Sequence, residues 1–123
     1  MTETRTLEEF RAKFRVEELK VLENRSWTWS VRPGQPTLGA GILSLNRYAG
    51  KFSDVTAEEM HDLADLVGTL EDAIQRAFNH NIMNYLMLMM VDKEVHYHVL
   101  PRYDTAQDFG EAAFDDPGWP ALP

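Results

Sequence analysis

Two of the chain's four histidines, His96 and His98, stand one residue apart in "VDKEVHYHVLPRY", a run of branched and aromatic residues from Val91 to Tyr103. Side chains alternate along a strand, so Glu94, His96, His98 and Leu100 share one face while Val95, Tyr97 and Val99 share the other. Neighbours on one face lie roughly 6.5 to 7 Å apart, close enough for two imidazoles to act on one phosphate or converge on one ion. Three readings fit these residues. The pair can be a half-exposed surface feature with no reaction. Glu94, His96 and His98 can be three oxygen and nitrogen ligands of zinc or a similar divalent ion. Or His96 is a nucleophile, since a neutral imidazole held by a hydrogen bond at one ring nitrogen can attack phosphorus with the other and leave again easily.

The elements that must carry this strand can be traced from the N-terminus. Thr6 and Glu9 have capping-box spacing, and Leu7, Phe10 and Phe14 fall on one helical stripe, which predicts a short amphipathic helix from residue 6 to about 15 at the edge of the domain. Leu19 to Leu22 and Trp27 to Val31 read as a hairpin turning at Glu23 to Ser26. The breaker-rich "RPGQPTLGAG" leads to a third strand, Ile42 to Leu45, with glycines that suggest a close backbone approach. Thr56 and Glu59 form a second capping box with Val55 and Met60 in staple positions, and Met60, Leu63, Val67, Leu70, Ile74, Ala77 and Phe78 then trace a helical face to about residue 78. "NIMNYLMLMMV" is apolar on both faces, as a central strand under a helix would be, and a tight turn at Asp92 and Lys93 would return the chain into the histidine strand, about 93 to 103. The tail, about 104 to 123, is expected to be irregular, with Phe109, Phe114 and Trp119 as anchors. The outcome is an α+β chain of five strands and two helices, with antiparallel neighbours favoured by the short connections.

Bulk properties narrow the function. A length of 123 residues suits one domain, residues 1–123, with a core of its own. Twenty acidic against twelve basic residues give a formal charge of −8, which repels a phosphate backbone over much of the surface and argues against bulk nucleic-acid binding. Without cysteine there is no disulfide, thiolate metal site or thiol nucleophile. The charged start "MTETRTLEEFRAKFR" lacks the apolar core of a signal peptide, and no apolar run reaches the roughly 20 residues of a membrane helix, so a cytoplasmic protein without a membrane partner is expected.

The stretch "EVHYHVLPRY" resembles the signature of the histidine-triad (HIT) superfamily, H-φ-H-φ-H-φ-φ with φ apolar, often continuing into Pro-Arg. Upstream, "LGAGILSLNRYAGKFSDVTAEEM" is similar to the family's strand G-H-x-L-V-x-P-K-R-H and the Ser-Asp-Leu-Thr type of helix start that follows it. The similarity covers roughly Trp27 to Tyr103. It implies a HIT-like α+β fold with a five-stranded antiparallel sheet, a long helix and a short N-terminal helix, usually in a homodimer. It also implies a nucleotide-phosphate site with no cofactor and no metal. Family enzymes hydrolyse or transfer nucleotidyl groups from dinucleoside polyphosphates, phosphoramidates and similar compounds through a nucleotidyl-histidine. By that resemblance His96 matches the nucleophile, and His98 the residue that helps bind phosphate and handle the leaving group.

Several positions depart from the pattern. Glu94 replaces the first histidine; ionised and aimed inward, it would repel a phosphate, while its backbone carbonyl would still orient His96. A Gly-rich segment common before the signature is missing, and Lys93 is the candidate cation to stand in for it. Ala40 and Tyr48 replace histidines that the family often has, and Arg32 falls where an Asn or Asp commonly meets the ribose, so it could pair with phosphate instead. Trp27 and Trp29 could flank a purine or pack under the long helix. The Met-rich "MLMM" reads as core filler, and His61 and His80 as bystanders near the ends of the long helix. The resemblance therefore leaves a nucleotide hydrolase or transferase, or a nucleotide-binding module whose catalysis is impaired, and a metal site at Glu94, His96 and His98 stays open as a third outcome.

Overall fold

The computed structural model describes residues 2–123, with side chains from residue 5 onward. In chain order the elements are α1 (Thr2–Lys13), α2 (Val16–Leu19), β1 (Lys20–Glu23), β2 (Trp27–Val31), β3 (Gly41–Leu45), α3 (Ala57–Phe78), β4 (Ile82–Leu86), β5 (His96–Arg102), β6 (Gln107–Phe109) and β7 (Ala112–Phe114). Strands β1 to β5 form one antiparallel sheet in the order β1-β2-β3-β5-β4, so the histidine strand lies inside the sheet, between β3 and β4. No helix among the described residues is long and apolar enough to cross a membrane.

The sheet has two differently built faces. On one, Trp27, Trp29, Leu43, Leu45, Val95 and Val99 pack against Leu63, Leu66, Leu70 and Ile74 of α3. Each such fully buried aliphatic side chain contributes about 1.5–3 kcal/mol through loss of apolar surface from water. α3 starts where its capping box predicts: Thr56 Oγ1 accepts from the Glu59 amide (3.1 Å) and Glu59 Oε1 accepts from the Thr56 amide (2.9 Å). It stops at Asn79, whose left-handed backbone (φ 54°) closes the last turn. The predicted apolar stripe is slightly rotated in fact. Leu66 is buried, whereas Met60 is exposed and Val67 half-buried. Gly41 explains the expected close approach of β2 and β3, because a Cβ there would meet Trp29 Nε1 at 2.5 Å and the Ser30 carbonyl at 2.7 Å.

On the other face the register places Ser30 opposite Ile42, Ile42 opposite His98 and Ser44 opposite His96. This is the surface that α1 covers: Phe10, Phe14 and Val16 form a second apolar cluster with Ile42. The N-terminal helix therefore begins earlier than its Thr6 capping box suggests, ends at Lys13, and lies across a sheet face rather than at an edge. Thr6 is inside the helix, so the first capping box does not form its start.

Three further expectations are corrected. "NIMNYLMLMMV" is not a central strand: β4 is the sheet's last strand, ends at Leu86, and leaves Met90 80% and Val91 84% exposed. The return into β5 is accordingly a connection over residues 87–95, not a tight turn, and regular pairing of the histidine strand begins at His96 rather than near 93. Met87 and Met89 do pack against the larger core, so the methionine run is filler on one side only. The tail is not irregular throughout, since β6 and β7 pair as a ribbon. Of its expected aromatic anchors, Phe109 meets Phe78 of α3 edge-on with ring centroids 5.3 Å apart although it is largely exposed, Trp119 is half-buried and Phe114 is exposed. A polar group anchors the tail as well: Asp116, buried, accepts from Arg102 Nε (2.5 Å), Arg102 Nη2 (3.0 Å) and the Tyr103 amide (3.2 Å).

Candidate active site on the histidine face

His96 sits at the first position of β5, where its backbone partner is Ser44 of β3. Its Nδ1 lies 2.7 Å from the backbone carbonyl of Glu94. A carbonyl only accepts, so Nδ1 carries the hydrogen and Nε2 is left with the lone pair of the neutral ring. That Nε2 is buried and has no hydrogen-bond partner among the described residues. The orientation expected from the backbone of Glu94, whatever its side chain, is thus present.

The surroundings of the two rings differ. His96 is 0% exposed and lies under Phe10, with ring centroids 4.9 Å apart. His98 meets His96 edge-on at 5.2 Å and Phe14 at 6.2 Å, and it is only partly buried. Burial, then the neighbouring His96 and Arg32, push the His98 imidazole down to about 4, so it is uncharged at neutral pH. Glu94 is 2% exposed, with neither carboxyl oxygen hydrogen-bonded by any of the described residues. Burial and the nearby Asp92 push its carboxyl up to about 7, against an opposing pull from Arg11.

Three cavities open on this face. The largest, about 380 Å³, is lined by Lys13, Phe14, Arg32, Leu88, Met90, Val91, Asp92 and His98. A second, about 200 Å³, continues along Arg32, His98 and Leu100 towards Pro36 and Pro123. The third, about 190 Å³, brings Thr6, Glu9, Phe10 and Lys13 of α1 against Val91, Asp92, Lys93 and Glu94. Lys13 Nζ donates to both oxygens of Asp92 at 2.9 Å and ties α1 to the 87–95 connection where the largest and the third cavities meet.

The structure therefore gathers His98 with Arg32 in the first two cavities and Glu94 with Lys93 in the third. His96 lies on the same sheet face beneath Phe10. Arg32 Nη1 donates to the Gly34 carbonyl (3.2 Å), and its Nε is buried without a partner. Among the described residues no three His, Asp or Glu side chains converge as metal ligands, so the alternative of an ion at Glu94, His96 and His98 is not supported by their geometry. Trp27 and Trp29 are buried on the opposite face under α3 and cannot flank a base here. His61 is exposed beside Asp65, away from the site. Phe10, Phe14, Lys13, Leu88 and Met90 were not anticipated as site residues. The spacing of Phe10 and Phe14 was a signal for an apolar stripe, but nothing local said which surface that stripe covers.

No family model matches the sequence, and no curated protein sequence matches it. Solved structures do match. A HIT family protein from Bacillus anthracis is similar with a TM-score of 0.63 at 22% identity, over 69% of this chain and 64% of that one. A hypothetical histidine triad nucleotide-binding protein from Sulfolobus tokodaii is similar with a TM-score of 0.69 at 13% identity, over 85% of this chain and 72% of that one. A histidine triad protein from Marinobacter aquaeolei is similar with a TM-score of 0.65 at 18% identity, over 88% and 73%. The chain spans less than two thirds of the Bacillus anthracis protein and of a similar one from Bacillus subtilis, 64% and 65%. With a five-stranded antiparallel sheet, one long helix and a short N-terminal helix, the chain is an α+β protein that carries the HIT fold.

Proposed function

We propose that this protein is a nucleotide hydrolase or nucleotidyl transferase. Its substrate would be a nucleoside phosphate ester, anhydride or phosphoramidate, such as a dinucleoside polyphosphate, and its intermediate a nucleotidyl group on His96. The observation that carries this reading is the 2.7 Å contact between His96 Nδ1 and the Glu94 carbonyl, which leaves Nε2 as the attacking atom. The cavity of about 380 Å³ at His98 supports the same reading, because its size is that of a small-ligand site and Arg32 supplies a fixed positive charge next to His98. Solved structures with this fold include proteins described as histidine triad nucleotide-binding. In the reaction, Nε2 bonds to the α-phosphorus, the bond to the leaving group breaks, and water later displaces His96 from phosphorus. Uncharged at neutral pH, His98 contributes hydrogen bonding rather than charge.

One observation favours a second reading, a nucleotide-binding module with impaired catalysis: His96 is fully covered by Phe10. For catalysis α1 has to move far enough to admit a phosphate. Incubation with a panel of dinucleoside polyphosphates and nucleoside phosphoramidates, read by product analysis and intact-protein mass, separates the two. Turnover with a nucleotidylated protein is the expected result. Nucleotide binding without turnover would establish the module instead.

The working unit in this reading is a homodimer in the cytoplasm, with no membrane or bulk nucleic-acid partner; the formal charge of −8 supports the last point. The dimer is supported by the exposed outer strand β4, with Ile82 in solvent, and by an apolar recess of Leu43, Leu63, Val67, Tyr85 and Tyr97 beside it. Light scattering at micromolar concentration is expected to give twice the chain mass of 14.1 kDa. The mass of a single chain would remove the dimer and leave the fold untouched.

A further inference from the structure

If His96 attacks phosphorus, the departing group needs a proton, since an alkoxide or an amine anion is too poor a leaving group on its own. Few side chains on this face can supply one. Arg32 does not give up its protons at any ordinary pH. Lys13 is held by Asp92 at 2.9 Å. His98, pushed down to about 4, carries no acidic imidazolium proton at neutral pH.

Lys93 lines the same cavity as Glu94 but is exposed to solvent, whereas Glu94 is buried there and its setting is unusual. Glu94 lies two residues before His96, is 2% exposed, and has neither carboxyl oxygen hydrogen-bonded among the described residues, although it lines a cavity of about 190 Å³. A buried carboxyl that serves only the fold is normally hydrogen-bonded by the protein, because desolvating it without partners is unfavourable. The charged groups facing it are Glu9, Arg11 and Lys13 from α1 and Asp92 and Lys93 from the connection, with His96 following on its own strand. Burial and Asp92 outweigh Arg11 and hold the carboxyl at about 7, so much of it is protonated near neutrality.

We propose that Glu94 is the acid–base residue of this site, giving its proton to the leaving group and recovering one from water; this rests on the reading of His96 as nucleophile. In the first half-reaction a bond forms between His96 Nε2 and phosphorus and the bond from phosphorus to the leaving oxygen or nitrogen breaks. The leaving atom takes the proton from Glu94, which becomes a carboxylate. In the second, water attacks phosphorus, Glu94 takes the water proton, and the phosphorus–nitrogen bond breaks with its electron pair returning to His96. The sum is hydrolysis, with both residues restored. The substrate class this favours is one whose leaving group requires protonation, an amine or an aliphatic alcohol.

The test compares two donors of the same nucleotide: a p-nitrophenyl ester, whose phenolate departs without a proton, and an alkylamine phosphoramidate, whose nitrogen needs one. Single-turnover formation of nucleotidylated protein is measured for the parent and for Glu94→Gln. The variant is expected to slow the phosphoramidate about 10²- to 10⁴-fold more than the ester. The parent's rate with the phosphoramidate should fall as pH rises through about 7, while its rate with the ester should not. This second measurement requires no folded variant. Equal slowing of both donors, or parallel pH profiles in the parent, would overturn the role of Glu94 alone. A parent that forms no adduct from either donor would overturn the nucleophile reading together with it.

Discussion

Replacing His96 with alanine or asparagine is expected to abolish covalent nucleotidylation and nearly all turnover, while nucleotide binding largely survives. The chain has no cysteine to substitute for the lost nucleophile, and His98 does not share the geometry, since it is His96 whose Nδ1 meets the Glu94 carbonyl. His98→Ala removes an assisting group instead, and should slow the reaction about 10²- to 10⁴-fold with the adduct still detectable. Mass spectrometry of the protein after rapid quenching distinguishes the two. Parental turnover in the His96→Ala protein would sink the nucleophile assignment, because a covalent catalyst cannot lose its attacking atom unharmed.

Asp116→Ala is expected to cost about 3–5 kcal/mol of stability, the penalty for leaving a buried cation without its partner. The Arg102 and Asp116 side chains are 4% and 0% exposed, and Arg102 Nη2 also donates to the Ala121 carbonyl at 2.6 Å. One carboxylate thus holds the end of β5 and the tail together. The Arg102 hydrogen bond holds its carboxyl below the usual carboxylate range despite the opposing effect of burial, and the Tyr103 amide adds to this. The sign follows from that direction. Stability from Asp116 is fully present above the ordinary carboxylate range and is lost as pH falls through the depressed value. Denaturant midpoints at neutral and acidic pH test both statements: the parent should lose stability on acidification and the variant much less of it. A loss below about 1 kcal/mol would mean that the tail is held by other contacts.

Much of the fold was legible because its signals are local. The Thr56 capping box, the period of α3 and the alternation through His96 to Val99 each depend on residues within a few positions of one another. The failures share the opposite property. Nothing in "NIMNYLMLMMV" marks Leu86 as the last paired residue, because an exposed apolar loop and a buried strand have the same composition; only the insertion of β5 between β3 and β4 decides it. Alternation placed Glu94, His96 and His98 on one face. That the stripe of Phe10 and Phe14 closes over this face is a contact between the two ends of the chain, with no periodicity to announce it. The tail was legible only in part for a related reason: Phe109 does meet Phe78, but Asp116 matters only beside Arg102, far from it in sequence.

The cover over His96 also changes what an affinity for this protein measures. With Phe10 against the imidazole and Lys13 on Asp92, a ligand that must reach Nε2 binds only the fraction of molecules in which α1 has lifted. Its apparent dissociation constant is the intrinsic one divided by that fraction, so a population about 1% open weakens observed binding about 100-fold without altering a single contact in the pocket. Ligands that stop at Arg32 and His98 escape this factor. Two ligands with identical phosphates can therefore differ widely in apparent affinity according to how deep each must go, and a change in α1 far from His96 can pass for a change in specificity.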